Sequence, residues 1–94
     1  MIYVLVIIPT YNESESIQSL LDRLNNVRQK LADIYKIDIL IVDDNSPDST
    51  AVIAANMHLS GLEILQRREK LGLGPAYLAG FTHGLKNDYQ YFVQ

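Results

Sequence analysis

The 94-residue sequence contains no cysteine, which removes disulfide bonds, thiolate metal sites and a cysteine nucleophile and permits a reducing compartment. It also lacks an excess of positive charge, because eight Lys and Arg against eleven Asp and Glu leave a formal net charge of −3. The basic face typical of nucleic-acid binders is absent apart from the small cluster Arg67, Arg68 and Lys70, so no nucleic acid is expected as a partner. No apolar run approaches the roughly 20 residues needed to cross a bilayer. The aliphatic run at residues 1–8 stops at Pro9 and has neither the basic start nor the small-residue cleavage site of a secretion signal. The chain therefore reads as cytosolic, or at most peripheral to a membrane. There is no internal repeat, low-complexity segment or linker, and no room for a second domain. What remains is ordinary globular composition, 48% hydrophobic and 20% charged, enough for one modest core.

Strand and helix signals alternate along that core. Residues 2–8 are almost entirely aliphatic and β-branched, which predicts a buried strand ending at Pro9. Asn12 then stands as a helix N-cap with Glu15 three residues on as the capping-box acid. Ile17, Leu20, Leu21, Leu24, Val27, Leu31 and Ile34 recur at helical spacing and form one apolar stripe. A second strand is expected over residues 37–42, and Ser46 followed by Pro47 reads as the cap and first residue of a second helix. Residues 62–66 make a third strand. Pro75 opens a third helix in which Gly80 and Gly84 permit close packing, and residues 89–93 make a fourth strand. Such alternation predicts an α/β fold, a Rossmann-like three-layer sandwich with a mostly parallel sheet. The sequence stops at Gln94 with no helix after the last strand, the expected appearance of a domain fragment spanning residues 1–94.

Three stretches could carry chemistry. Around Pro9, Thr10, Tyr11, Asn12 and Glu13, at the exit of the first strand, Tyr11 could stack on a nucleobase and Glu13 could accept hydrogen bonds from a ribose. The plainer reading is a strand-to-helix turn with a half-buried tyrosine. The second stretch, Ile41-Val42-Asp43-Asp44, delivers two carboxylates to a strand edge, where open α/β sheets bind ligands. Adjacent strand residues face opposite ways, so the two aspartates are poorly placed to grip one ion. Val42 and Asp44 share a face, and Asp44 is expected to accept N–H bonds from a base edge. Asp43 equally suits holding a loop, and Asp48 suits the first turn of the helix. The third stretch, Arg68 to Pro75, places Lys70, Gly72 and Gly74 before a helix N-terminus and could approach phosphate. Its spacing matches neither the Walker loop nor the dinucleotide fingerprint. His58 and His83 stand apart from ligand-spaced acids and suit surface or packing roles, while Tyr77, Phe81, Tyr89, Tyr91 and Phe92 suit the core.

In order, Val6-Ile7-Ile8-Pro9-Thr10-Tyr11-Asn12-Glu13, then Ile41-Val42-Asp43-Asp44-Asn45-Ser46-Pro47-Asp48-Ser49-Thr50, then Arg68-Glu69-Lys70-Leu71-Gly72-Leu73-Gly74-Pro75-Ala76-Tyr77 resemble the dolichol- or polyprenol-phosphate mannosyltransferases. These are inverting family 2 glycosyltransferases with a GT-A fold. The first two motifs are shared widely among related glycosyltransferases, and the third points more narrowly to the mannosyl-phospholipid branch. The resemblance implies a nucleotide-sugar site lined by Pro9, Thr10, Tyr11, Glu13, Val42, Asp43 and Asp44. It implies GDP-mannose as donor and a polyprenyl phosphate at the cytoplasmic face of a membrane as acceptor. It also implies Mg²⁺ or Mn²⁺ in the full-length enzyme, held by an Asp-x-Asp motif that in the family follows the fourth strand and is not in this sequence. No metal site is expected in this chain, and the fragment alone is expected to be inactive. Asn45 stands where the family often has glycine, a position asparagine can fill because it tolerates left-handed backbone. A UDP-sugar transferase of the same superfamily and a non-enzymatic nucleotide-binding module, able to form a homodimer through an edge strand, are the competing readings.

Overall fold

The computed structural model describes residues 1–68 and 72–94. Four strands, β1 (Ile2–Thr10), β2 (Tyr35–Asp43), β3 (Leu62–Gln66) and β4 (Tyr91–Val93), alternate with three helices, α1 (Ile17–Lys30), α2 (Thr50–Ala55) and α3 (Leu73–Gly84). The sheet order is β3-β2-β1-β4 and every pairing is parallel. β1 and β2 run in register over their full length, from Ile2 opposite Tyr35 to Thr10 opposite Asp43. β4 crosses back to the other side of β1, so the connections diverge between β1 and β4. That divergence opens a crevice at the carboxyl ends of the central strands.

The aliphatic runs of β1 and β2 are covered on both faces, as parallel strands require. On one face Leu5, Ile7, Leu40 and Val42 pack with Ala76 of α3. On the other, Ile39 and Ile41 pack with Ile17 and Leu21 of α1 and Ala54 of α2. Three layers result, as the alternation predicts. α3 lies so close to the sheet that a Cβ on Gly80 would fall 2.5 Å from Ile7 Cγ2, and one on Gly84 2.6 Å from Leu5 Cδ2. Phe81 and Phe92 pack in a tilted arrangement with ring centroids 4.6 Å apart, and Tyr89 donates to Asp38 Oδ2 at 2.7 Å. Burial and the Asp38 carboxylate raise the Tyr89 pKa. No helix among the described residues is long and apolar enough to cross a membrane.

Several local expectations are corrected. β1 continues through Pro9 because β4 pairs with β1 only as far as Val6 opposite Val93. The Thr10 carbonyl faces β2, where it accepts the Asp44 N–H, so by strand alternation the Pro9 nitrogen faces the unpaired side. α1 starts at Ile17 rather than after Asn12, and its cap position Ser16 makes no side-chain capping bond. α2 starts at Thr50, not Pro47, with Ser49 at the cap position in left-handed backbone. The apolar stripe of α1 is wider than the sheet can cover. Ile17 and Leu21 are buried, but Leu20, Val27, Leu31 and Ile34 remain exposed, and the helix ends at Lys30. Tyr91 is exposed at the sheet edge, not in the core.

Candidate functional site

At the carboxyl end of the sheet, Pro9, Thr10, Tyr11 and Glu13 from the exit of β1, Asp44 from the end of β2, and Gly72, Leu73 and Ala76 from the start of α3 line one cleft of about 320 Å³. It sits at the topological switch point, and the N-terminal end of α3 contributes its positive dipole end to the wall. A larger recess of about 530 Å³ lies at the opposite end of the sheet, among Arg28, Lys36, Asp38 and Gly61. That recess gathers none of the loops that leave the carboxyl ends of the strands, where this architecture binds ligands.

Each expected site residue has a definite place. Tyr11 and Glu13 are carried on the turn after β1, which passes through Asn12 at φ +57°. Val42 is fully buried against α3. It supports the floor beneath Ala76 and does not itself reach the cleft, because a strand residue two before the exit still lies under the helix. Asp43 is fully buried as well. Its Oδ1 accepts the Thr10 and Ser46 hydroxyls, both at 2.6 Å, and its Oδ2 accepts the Ser46 N–H at 2.9 Å. Of the two roles open to Asp43, the loop-holding one is the one these bonds occupy. Gly72 lines the cleft with φ +96°, a conformation that favours glycine. Gly74 lies in the first turn of α3, where an added Cβ would meet nothing, and does not line the cleft. Lys70 lies outside the described residues.

Asp44 does line the cleft, but with a partner that the sequence reading missed. Arg67, the residue after β3, meets it with two parallel bonds, Nε to Oδ1 at 2.6 Å and Nη2 to Oδ2 at 2.8 Å. The expectation of a carboxylate presented alone to a ligand is therefore revised to a carboxylate–guanidinium fork. Such bidentate, charge-assisted pairs are strong and directional. Their side chains are only 6% and 12% exposed, respectively, so solvent screens the pair little. The Asp44 carboxylate raises the Arg67 pKa through its hydrogen bonds and charge. The signal for Arg67 was its place at the end of the third strand, beside the acid-bearing end of the second. Its place in the basic cluster with Arg68 and Lys70 gives no hint of that partner.

The acids are otherwise committed. Asp48 precedes α2 rather than joining its first turn, and it accepts the Thr50 hydroxyl and N–H and the Ser14 N–H. These bonds, the Thr50 hydroxyl foremost, hold its pKa down at about 2. Asn45 takes left-handed backbone at φ +55°, the conformation its side chain tolerates. His58 caps no ligand set, and His83 Nε2 lies 2.9 Å from Glu63 at the surface. Among the described residues no three of His, Asp and Glu come together to hold a metal ion. Asp43, Asp44 and Asp48 are each bound to protein donors.

The model of the glycosyl transferase family 2 matches residues 5–93. The chain belongs to that family. Among its family 2 relatives, the polyprenol monophosphomannose synthase of Mycolicibacterium smegmatis is 40% identical over 93 residues, covering 96% of this chain and 33% of that protein. The undecaprenyl-phosphate mannosyltransferase of Micrococcus luteus is 42% identical over 93 residues, covering 97% of this chain and 36% of that protein. Among solved structures, a mannosyltransferase from Pyrobaculum calidifontis in complex with GDP-mannose and Mn²⁺ is similar at TM-score 0.67 and 28% identity, over 85% of this chain and 24% of that one. This family 2 chain thus spans about a third of the length of the curated relatives it matches.

Proposed function

We propose that this chain supplies the donor-nucleotide site of a family 2 enzyme that transfers mannose from GDP-mannose to a polyprenyl phosphate with inversion. The observation that carries this reading is the convergence of the Pro9–Glu13 turn, Asp44 with Arg67, and the start of α3 on one cleft at the switch point. The names of the relatives supply the sugar and the class of acceptor.

In this reading Tyr11 stacks on the base and Glu13 accepts from the ribose hydroxyls. The Watson–Crick edge of guanine offers N–H donors beside a carbonyl acceptor, and the Asp44–Arg67 fork offers an acceptor beside a donor. The positive end of α3 suits the diphosphate. Transfer itself forms a bond between a lipid phosphate oxygen and the anomeric carbon as the bond to the diphosphate breaks, and GDP leaves. The divalent ion seen in the solved relative would be held by residues other than the described ones.

The edge of uracil also pairs an N–H with a carbonyl, so the fork by itself suits either donor nucleotide. Calorimetric titration of the 94-residue chain separates them. Tighter binding of GDP-mannose than of UDP-glucose is expected. Preference for UDP-glucose would overturn the mannose assignment, and binding of neither would overturn the donor site.

A further inference from the structure

Three consecutive backbone N–H groups just after Tyr11 are held by side chains of the loop between β2 and α2 and of the first residue of α2. The Asn12 N–H donates to Ser46 Oγ, the Glu13 N–H to Thr50 Oγ1 and the Ser14 N–H to Asp48 Oδ2, each at 3.0 Å. The three acceptors are braced in turn: Ser46 donates to Asp43, and Thr50 donates to Asp48. Asp43 also accepts from Thr10, so the strand exit and the turn after it are tied to one loop.

We propose that Ser46, Asp48 and Thr50 form a latch of positioning residues that sets Tyr11 and Glu13 for the nucleotide. None of the three lines the cleft, so any effect on binding passes through the turn they hold. Thr50 is fully buried, which makes its hydroxyl a bond that water cannot readily replace. The turn needs such fixing, because Asn12 sits at φ +57° and α1 does not begin until Ile17. Without the latch the turn holds two side chains over a cleft on a backbone whose N–H groups have no helical partner. The loop is itself shaped for the task, with Asn45 at φ +55° and Ser49 at φ +67° aiming Ser46, Asp48 and Thr50 at successive amides. Backbone held in such regions persists where its surroundings over-determine it.

This inference rests on the donor-site reading for its effect on affinity, and the bonds themselves can be read without nucleotide. In amide exchange on the 94-residue chain, Ser46→Ala should speed the Asn12 amide, Thr50→Val the Glu13 amide and Asp48→Asn the Ser14 amide, each about tenfold. The strand amides of Ile7 and Ile41 should stay protected. In GDP titrations Thr50→Val should weaken binding about tenfold, and Thr50→Ser, which keeps the hydroxyl, should restore it to within about twofold. Ile39→Val, a core change on the sheet face away from the cleft, should lower the melting temperature and leave GDP affinity unchanged. Should Thr50→Val not fold, Ser46→Ala carries the same comparison at a half-buried position. Absence of GDP binding by the unaltered chain would overturn the donor site alone. The latch is overturned if the three amides exchange at unaltered rates in the variants, or if Ile39→Val costs as much GDP affinity as the latch variants.

Discussion

Arg67 grips both oxygens of Asp44, Nε to Oδ1 at 2.6 Å and Nη2 to Oδ2 at 2.8 Å, and so joins the end of β3 to the end of β2 at the mouth of the cleft. The Arg67 backbone is tied there too, its N–H donating to the Asp43 carbonyl at 2.7 Å. The guanidinium is thereby fixed in direction as well as in charge. It offsets the charge of the Asp44 carboxylate at the cleft.

Replacing Arg67 with alanine removes the guanidinium that grips both oxygens of the nearly buried Asp44 carboxylate. Urea unfolding is expected to show a loss of about 1–3 kcal/mol, the scale of hydrogen bonds to a charged group. GDP affinity should fall about tenfold or more. Arg67→Lys should lie between, because an ammonium keeps the charge and loses the planar fork. Unchanged affinity in both variants would remove Arg67 from the site.

Acid should act through Asp48. Its folded-state pKa of about 2 lies below the ordinary 3.8, so folding favours the ionised form. The resulting stability is complete above about pH 4 and is lost as pH falls toward about 2. Asp48→Asn should therefore be less stable than the unaltered chain at pH 7, with the difference closing over that acidic window. Thermal melts across the pH range check this, and a difference that persists undiminished at the acid end would contradict it.

Gly80→Ala should destabilise the chain although alanine is the better helix former. The new methyl would fall 2.5 Å from Ile7 Cγ2 and 3.1 Å from Val42 Cγ2, and a buried β-branched residue cannot swing away. Overpacking of this kind costs about 1–3 kcal/mol, against a gain of about 1 kcal/mol in helix propensity. A denaturation midpoint at or above that of the unaltered chain would show that α3 can back away from the sheet.

The strands were legible because burial on both faces demands uninterrupted aliphatic residues, and Val4 to Ile8 and Ile39 to Val42 supply them. The small residues of α3 told of close packing for the same reason. The helix starts were not legible. Asn12 and Ser46 look like caps, yet their turns are satisfied by bonds between loops 34 to 37 residues apart in sequence. A local signal cannot distinguish a side chain that caps its own helix from one that holds a neighbouring turn. Val42 was read as a wall because it shares a face with Asp44, which is so, but α3 covers that face up to the strand exit. Arg67 escaped notice because its partner lies 23 residues earlier, and only the parallel pairing of β2 with β3 brings the two ends together.

Titration of the isotope-labelled chain with GDP, followed amide by amide by NMR, tests the donor site most directly. The cleft predicts shifts concentrated at residues 10–13, at Asp44 and Arg67, and at Gly72 and Leu73. Shifts concentrated instead around Arg28, Lys36 and Gly61, in the recess at the opposite end of the sheet, would contradict it.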